Sequence, residues 1–545
     1  MSLDQAEATP LVSPLPESPE PRQHTSVAHA AGLIMAGQVA SRLLGFARDA
    51  VTAALFGRTG ATDAFFAAQT VSQTLYDLVV GTTQTAALIP TFSQHADAED
   101  RSELWHIASV VITFGVLLLS CLAGLLVIFA PAVMSVTVHF SQTADQQLAE
   151  QLARIVMPSF LFLGLSGILS SLLYSMRTFL YSAFCVAAFN GAIVVSAVLL
   201  HHQLGVASLA TGMVAGTLLM CLIQLPPLFR ARMRFRLSLD LNHPEVRHIG
   251  KLCLPVAVGM IATIIGIVVD RNLASRTGAG NISAMQYATR IVQLPLGLIS
   301  TALGVAILPT LSRHALEEGL GQYKAVLSRG LKFVLALILP MTVAVVVLNN
   351  QILALVYQHG QYTAADRQVT ALALYLYAPQ LPFAAIDYLL ISAFYAMKNT
   401  LVPAVMGVIG VCIYLSVALS LVGVMGFPAL VLANTLQNSL HGIILLVLLW
   451  RLLGGLPGYT LGESALKLAL AGAVMAVVAF ICAYALGKVT NLGTLSGQVA
   501  QLVVPGGAGL LAYVGAAAAM GVEEVHMAWT SITNRLLPRP AGSLQ

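Results

Sequence analysis

The residues of this chain with the most chemical potential are charged side chains inside long apolar segments. Arg42, Arg48 and Asp49 fall within the apolar run at 28–55, and Arg290 falls within the run at 283–311. An ionisable side chain at membrane depth costs about 2.5 kcal/mol or more, so it normally faces a cavity or a partner. Guanidinium groups bind phosphate through forked N–H donors. These arginines therefore predict a phosphate-binding cavity within a membrane.

Acidic side chains accompany the arginines. Asp63, Asp77 and Asp387 lie in or at the ends of other apolar segments, and Asp270 is followed directly by Arg271. Carboxylates at this depth could pair with the arginines or bind a cation. The alternative interpretation is that all these charges form structural ion pairs that hold one conformation. We predict substrate binding by Arg42, Arg48 and Arg290, and gating or ion pairing by Asp49, Asp63, Asp77, Asp270, Arg271 and Asp387.

Helical geometry makes one finer prediction for the first segment. At about 100° per residue, Arg42 and Asp49 differ by only about 20° around the helix axis, whereas Arg42 and Arg48 differ by about 120°. Arg42 and Asp49 are thus expected to share a stripe that Arg48 borders. His441, near Asn434, could relay protons, although a hydrogen-bonded packing histidine is the favoured interpretation.

Composition identifies the elements that must position these side chains. The chain has 545 residues, of which 57% are hydrophobic and 9% charged, and its mean hydropathy is +0.83. Such a chain needs lipid as its solvent. It contains neither a G-x-x-x-x-G-K-[ST] loop nor an H-E-x-x-H motif. We therefore expect a transporter, not an enzyme, without a metal or other cofactor, driven by a coupling cation, the membrane potential or a substrate gradient.

Apolar run lengths predict an all-α polytopic membrane protein with about 14 transmembrane helices. Lysine and arginine concentrate on the side that holds both termini, which predicts that both termini are cytoplasmic. The basic run at 229–236 is expected to anchor this topology and to touch anionic lipid, not nucleic acid. The predicted spans are 28–55, 62–90, 105–133, 148–173, 181–200, 205–228, 249–273, 283–311, 330–348, 368–396, 401–424, 427–450, 464–487 and 499–521.

An internal repeat divides these spans. The sequence IPTFSQHA at 89–96 recurs as LPTLSRHA at 308–315, and LYSMR at 173–177 recurs as FYAMK at 394–398. Two separated matches at nearly one offset predict two parallel six-helix repeats plus two C-terminal helices. The expected divisions are a disordered cytoplasmic tail at 1–26, lobes at 27–235 and 236–455, two additional helices at 456–522, and a second tail at 523–545.

Several motifs resemble those of one family. The sequence SRLLGFARD at 41–49, followed by ATDAFF at 61–66, resembles the amino-terminal signature of the MurJ/MviN lipid II flippases. In the second half, YATRIVQLPLG at 287–297 and AFYA at 393–396 look like that family's eighth- and tenth-helix motifs. The resemblance extends over roughly residues 28–450 in order.

The resemblance implies alternating access between two lobes and a central cavity whose arginines meet a pyrophosphate headgroup. It also implies a lipid tail groove formed by the last two helices. Arg42, Arg48, Asp63 and Arg290 occupy positions that the family uses. The chain departs from the family at four places: Tyr76-Asp77 stands where the family usually has two arginines, Gly81-Thr82 where it has Glu-Gly, Gln293 where an acidic residue can occur, and Asp387-Tyr388 where a lysine is common. The loss of three basic groups and the gain of Asp77 and Asp387 weaken the attraction for a dianion.

Four functions remain open at this point. The favoured one is translocation of lipid II from the inner to the outer leaflet. The others are a flippase for another polyprenyl-linked glycan, a cation-coupled exporter of small molecules that would use Asp77 and Asp387, and a non-transporting scaffold that recruits cell-wall synthesis proteins through its tails. The expected partners are the lipid-linked sugar substrate and membrane lipids.

Overall fold

Every regular element in the computed structural model is a helix, within the residues that the structure describes: 22–81, 84–96, 101–240, 242–306, 308–314, 320–455 and 461–522. The first half comprises α1 (Arg22–Phe56), α2 (Gly60–Tyr76), two π-helical segments (Asp77–Gly81 and Gln84–Leu88), α3 (Ile89–Ala96), α4 (Ser102–Ile128), α5 (Ala130–Thr137), α6 (Thr143–Val156), α7 (Ser159–Ser175), α8 (Phe179–Leu204) and α9 (Ala207–Arg230).

The second half repeats this order. It comprises α10 (Pro244–Arg276), α11 (Asn281–Ala306), α12 (Leu308–His314), α13 (Gly321–Val347), α14 (Asn349–Tyr357), α15 (Ala364–Tyr377), a 3₁₀ turn (Ala378–Gln380), α16 (Leu381–Ala396), α17 (Leu401–Met425) and α18 (Phe427–Leu452). Two helices follow outside the repeat, α19 (Leu461–Gly487) and α20 (Leu495–Ala519), and they pack on each other and on α13.

Backbone geometry at equivalent helix ends confirms the repeat. Arg177 and Lys398 end α7 and α16, and each has a φ of 58°. A non-glycine residue rarely adopts this left-handed conformation, so its recurrence reflects one turn used twice. Gly205 and Gly426 likewise share a positive φ, of 55° and 67°, between the last two helices of each half. The domain boundaries placed at 235/236 and 455/456 stay predictions.

Ten helices or helix pairs among the described residues are long and apolar enough to cross a membrane. The chain is therefore a multi-pass α-helical membrane protein, as predicted. The four further predicted spans coincide with α1, with α2 through α3, with α10 and with α11, which carry most of the intramembrane charges. The total of about 14 spans stays a prediction.

Four predicted segments differ in the structure. The tail at 1–26 ends earlier, because α1 begins at Arg22, directly after Pro21, and no glycine or proline follows until Gly32. The span at 62–90 is not one α-helix, since π-helical turns replace the α-helix at Asp77–Gly81 and Gln84–Leu88. The spans at 148–173 and 368–396 each break at a proline, Pro158 or Pro379. Residues 1–21 and 523–545, on which the scaffold hypothesis depends, lie outside the described residues.

Candidate functional site

One buried carboxylate joins arginines from both halves of the protein. Arg48 Nη2 donates to Asp49 Oδ1 at 2.7 Å, and Arg48 Nε donates to the same oxygen at 3.0 Å. Arg290 of α11 places its Nε 3.0 Å from Asp49 Oδ2, a distance that makes an ion pair although the N–H is misaligned for a hydrogen bond. Asn190 Oδ1 of α8 accepts from Arg48 Nη1 at 3.1 Å. The structure therefore brings Arg290 to the adjacent residues Arg48 and Asp49, from which it is remote in sequence.

Two cavities lie on either side of this ion triad. The first has a volume of about 630 Å³ and the second about 450 Å³, and both are lined by Arg48, Arg290, Phe189 and Gln293. Neither guanidinium is enclosed in dry protein, because each borders both spaces. A headgroup placed in either cavity would meet both arginines.

Arg42 also lines the second cavity, together with Asp49. The Arg42 guanidinium occupies the space that a β-carbon at residue 297 would fill, so a side chain there would require the flexible end of Arg42 to move. Although helical geometry predicts that Arg42 and Asp49 share one stripe of α1, the two side chains do not form an ion pair with each other in the described part of the chain. Asp49 turns toward Arg48 and Arg290, because the second charge on α11 is closer than a residue two turns along the same helix.

The first cavity also contains acidic side chains. Asp77 accepts from Gln73 Nε2 at 3.1 Å, and Asp270 accepts from the hydroxyl of Tyr414 on α17. Arg271 Nη2 donates to Gln286 Oε1 at 3.2 Å, while its buried Nε has no hydrogen-bond partner. The cavity thus mixes both signs of charge, with an arginine N–H that a ligand could satisfy.

Asp387 belongs to a different site. Its Oδ1 lies 2.9 Å from Nδ1 of His441, and both side chains are largely buried between α16 and α18. Within the described residues, Asp387 lines neither of the two cavities. His441 is therefore hydrogen-bonded inside the second half, as the packing interpretation predicts, although its partner is a carboxylate and not Asn434.

Asp63 closes the two halves on the side opposite the termini. It is fully buried, and its Oδ2 accepts from the backbone N–H of Gly280 at 2.6 Å. Its Oδ1 accepts from both the backbone N–H and the hydroxyl of Ser283 at 2.7 Å. These donors belong to the start of α11, where the helix dipole favours an anion. The term outer gate is used below for this contact of Asp63 with Gly280 and Ser283, together with the contacts that Arg58 and Ala54 make with Asp366 and Gln361.

Further contacts across the same surface support the outer gate. Arg58 Nε donates to Asp366 Oδ1 at 3.2 Å, and the backbone N–H of Gln361 donates to the carbonyl of Ala54 at 2.8 Å. Gly280 has a φ of 83°, and a β-carbon there would collide with the Arg58 carbonyl. The turn at 278–280 is therefore a point of close approach between the halves.

Aromatic rings fill the space between the outer gate and the ion triad. Tyr287 meets Phe66 edge to face with centroids 5.7 Å apart, and its centroid lies 4.9 Å from that of Tyr357. All three are buried. Tyr287 also donates its hydroxyl to the Gly57 carbonyl at 3.2 Å. Because the packed rings leave little room for water, they separate the two cavities from the membrane side opposite the termini.

Sequence reasoning missed several residues of the site. Asn190 orients Arg48, Tyr414 donates to Asp270, and Gln286 holds Arg271. Each is a polar residue within an apolar span, and that is the signal that could have found them. Their partners, however, could be assigned only from the packing of α8, α17 and α11.

Comparison with known proteins agrees with this architecture. Residues 52–502 match the family model described as lipid II flippase MurJ. A protein of Bdellovibrio bacteriovorus, described as probable lipid II flippase MurJ, is 27% identical over 507 residues, covering 92% of this chain and 96% of the relative. The lipid II flippase MurJ of Burkholderia cenocepacia is 28% identical over 375 residues, covering 67% of this chain and 72% of the relative.

Solved structures share the fold. A structure of lipid II flippase MurJ in an inward closed conformation has a TM-score of 0.73 and 24% identity, covering 93% of this chain and 100% of that one. An inward-facing multidrug resistance transporter of the MATE family has a TM-score of 0.63 and 14% identity, covering 76% and 95%. Because the family model spans more than half of the chain, this protein belongs to the lipid II flippase MurJ family.

Proposed function

We propose that this protein carries lipid II, a lipid-linked peptidoglycan precursor, from the inner to the outer leaflet of the bacterial cytoplasmic membrane by alternating access. The observation that carries the proposal is the Arg48–Asp49–Arg290 triad, which joins both halves at the border of two cavities. Family membership supports the substrate, since the relatives are named as lipid II flippases.

The triad is suited to exchange one anion for another. In the absence of substrate, Asp49 partly neutralises both guanidinium groups. A pyrophosphate offers more acceptor oxygens than a single carboxylate, and forked arginine donors match it. Binding would therefore draw on arginines from both halves and couple the headgroup to their relative position.

The outer gate gives the direction of access. Asp63, the aromatic rings and Arg58 close the side opposite the termini, so the cavities belong to a state that is shut on that side. With cytoplasmic termini, which the positive-inside rule predicts, this is a state that receives substrate from the inner leaflet. A coupling cation or the membrane potential would supply the driving force for the change to the outward-open state.

Reconstitution in vesicles tests the proposal directly. Fluorescent lipid II, a second polyprenyl-linked glycan and a fluorescent phospholipid are each incorporated, and quenching from outside measures translocation. We expect translocation of lipid II well above that of the phospholipid. Faster movement of the other glycan would replace the substrate assignment, and equal movement of all three lipids would contradict selective flipping.

Asn190 is expected to tune activity by positioning Arg48. Asn190→Leu removes the acceptor for Arg48 Nη1 while retaining a similar volume, and a hydrogen bond to a charged group is worth about 1.5–3 kcal/mol. We expect about a tenfold lower rate of lipid II translocation with normal membrane insertion. Asn190→Asp retains an acceptor and should preserve most activity, so equal loss in both variants would contradict a positioning role.

A second candidate function is cation-coupled export of small molecules, which the carboxylates of Asp77 and Asp270 in the larger cavity favour. It predicts that Asp77→Asn lowers resistance to cationic drugs in an efflux-deficient strain, because the cation would lose its counter-charge. The flippase proposal predicts unchanged resistance in this variant and in Asp387→Asn, whose carboxylate lies outside the cavities. Drug accumulation in the efflux-deficient strain, measured with each of the two variants, decides between the two candidate functions.

A further inference from the structure

The segment that joins the two halves has an unusual alternation of charge. After α9 the chain forms neither helix nor strand through residues 233–240. Arg232, Arg234 and Arg236 are exposed, and apolar residues stand between and after them, including Phe235 and Leu237. Arginines and apolar residues thus alternate along the segment, and all three arginines are exposed.

Local contacts fix this segment against α4. Arg232 adopts a φ of 56° at the end of α9, and the N–H of Met233 bonds the carbonyl of Leu228 at 3.1 Å, which turns the chain out of the helix. The backbone N–H of Arg236 donates to the hydroxyl of Ser109 on α4 at 3.1 Å. The backbone of this segment is therefore held against the end of α4 that lies on the same side as the termini.

The apolar residues of this segment and α4 together form a groove of about 350 Å³. Its walls include Ile112, Val116, Leu117, Phe235, Leu237 and Leu239. Leu237 is 84% exposed and Leu239 is 54% exposed, which is costly in water but not against an acyl chain. Lower on α4, Phe114 and Leu118 are exposed as well, so the groove continues onto a surface that faces lipid.

A second observation inside the groove points to a polar ligand atom. Thr113 lines the groove, is only 7% exposed, and its hydroxyl has no hydrogen-bond partner among the described residues. Buried hydroxyl groups in native proteins nearly always find a partner. An ester or phosphate oxygen of a lipid in the groove would supply one.

We propose that this groove and the three arginines form a binding site for one anionic phospholipid of the leaflet on the terminus side. The arginines meet the phosphate, the Thr113 hydroxyl donates to a lipid oxygen, and an acyl chain follows the apolar wall onto α4. Glu103 lies 2.9 Å from His243 and Asp240 lies 3.8 Å from His106, so the nearby carboxylates already face histidines. A lipid held here tethers the segment between the two halves to α4, a role separate from the central cavities.

Lipid titration of the purified full-length protein in detergent tests the site, with native mass spectrometry counting bound molecules. The probes are phosphatidylglycerol, phosphatidylcholine with the same acyl chains, and inorganic phosphate. We expect the unaltered protein to prefer phosphatidylglycerol. Equal binding of phosphatidylcholine would overturn the anionic selectivity, and displacement of phosphatidylglycerol by inorganic phosphate at similar concentration would identify a free-anion site in place of a lipid site.

Substitutions locate the binding. The triple variant Arg232→Gln, Arg234→Gln, Arg236→Gln should bind phosphatidylglycerol on the order of tenfold more weakly or worse, since each basic residue near an anionic surface contributes to attraction. A matched variant carries Arg313→Gln, Arg329→Gln and Arg451→Gln, which remove equal charge from exposed positions on the same side. It should bind normally; equal weakening in both triple variants would overturn the site.

Two milder variants separate the site from loss of folding. Thr113→Val retains shape but removes the hydroxyl, and Phe235→Ser removes part of the exposed apolar wall. Each should weaken phosphatidylglycerol binding severalfold without changing the thermal unfolding midpoint measured in the absence of added lipid. Unchanged affinity in both variants would contradict the groove as the acyl-chain site.

Discussion

Arg290→Ala is expected to abolish rescue of a flippase-depleted bacterial strain while the protein still reaches the membrane. Arg290 provides the second half's contribution to the triad, and its guanidinium borders both cavities. Removing it leaves Asp49 paired with Arg48 alone, so a headgroup would meet arginine from only one half. Loss of a forked, charge-assisted contact to phosphate in a partly buried site costs several kcal/mol, or about 100-fold or more in translocation rate.

Arg48→Ala should have the same effect, and Arg290→Lys should retain part of the activity because charge remains without the fork. Arg313→Ala is the matched control, since Arg313 is an exposed arginine on α12 of the same half. Colony growth after depletion, with membrane levels measured by immunoblotting, provides the readout. Full rescue by both Arg48→Ala and Arg290→Ala would remove these residues from the substrate site.

Asp63→Asn is expected to open the outer gate. The carboxylate accepts three hydrogen bonds from the start of α11, two of them from backbone N–H groups. An amide cannot accept from all three donors, since its NH₂ group would face one of them. Loss of about 3 kcal/mol of closing energy would raise the open population on the order of a hundredfold.

Labelling of a buried cysteine measures this change. The reporter is Met285→Cys, on the wall of the first cavity, in a background whose six native cysteines are replaced by serine. A membrane-impermeant maleimide added on the side opposite the termini should label the reporter much faster in Asp63→Asn. Asp366→Asn is the graded control, because its largely buried ion pair with Arg58 is one contact against the three hydrogen bonds of Asp63. Labelling at the unaltered rate in Asp63→Asn would show that this carboxylate does not hold the gate.

The importance of both residues follows from the sequence, but their roles do not. Arg290 and Asp63 stand out because charges in apolar segments are costly and few. That argument cannot say that Asp63 receives backbone donors from α11 while Asp49 receives two arginines, since both are aspartates near helix ends. The partner of each is decided by which helix of the other half lies opposite.

Asp387 illustrates the same limit from the other direction. By sequence it has the same standing as Asp77, an acidic residue inside an apolar span. In the structure Asp77 lines the larger cavity, whereas Asp387 faces His441 within the second half. A rotation of about 100° per residue separates a cavity-facing position from a packed one, and the register of a helix within its bundle is not readable from its own sequence.

Composition, run length and repetition determined that this chain is an all-α membrane protein built from two similar halves, because the lengths that cross a bilayer and the cost of buried charge are local properties of the sequence. The tertiary structure alone decided that Arg48 and Arg290 share one carboxylate, that Asp63 closes the opposite side, and that the linker forms a groove with α4. Those contacts join residues far apart in the chain, and their energies depend on distances that only the packed helices set.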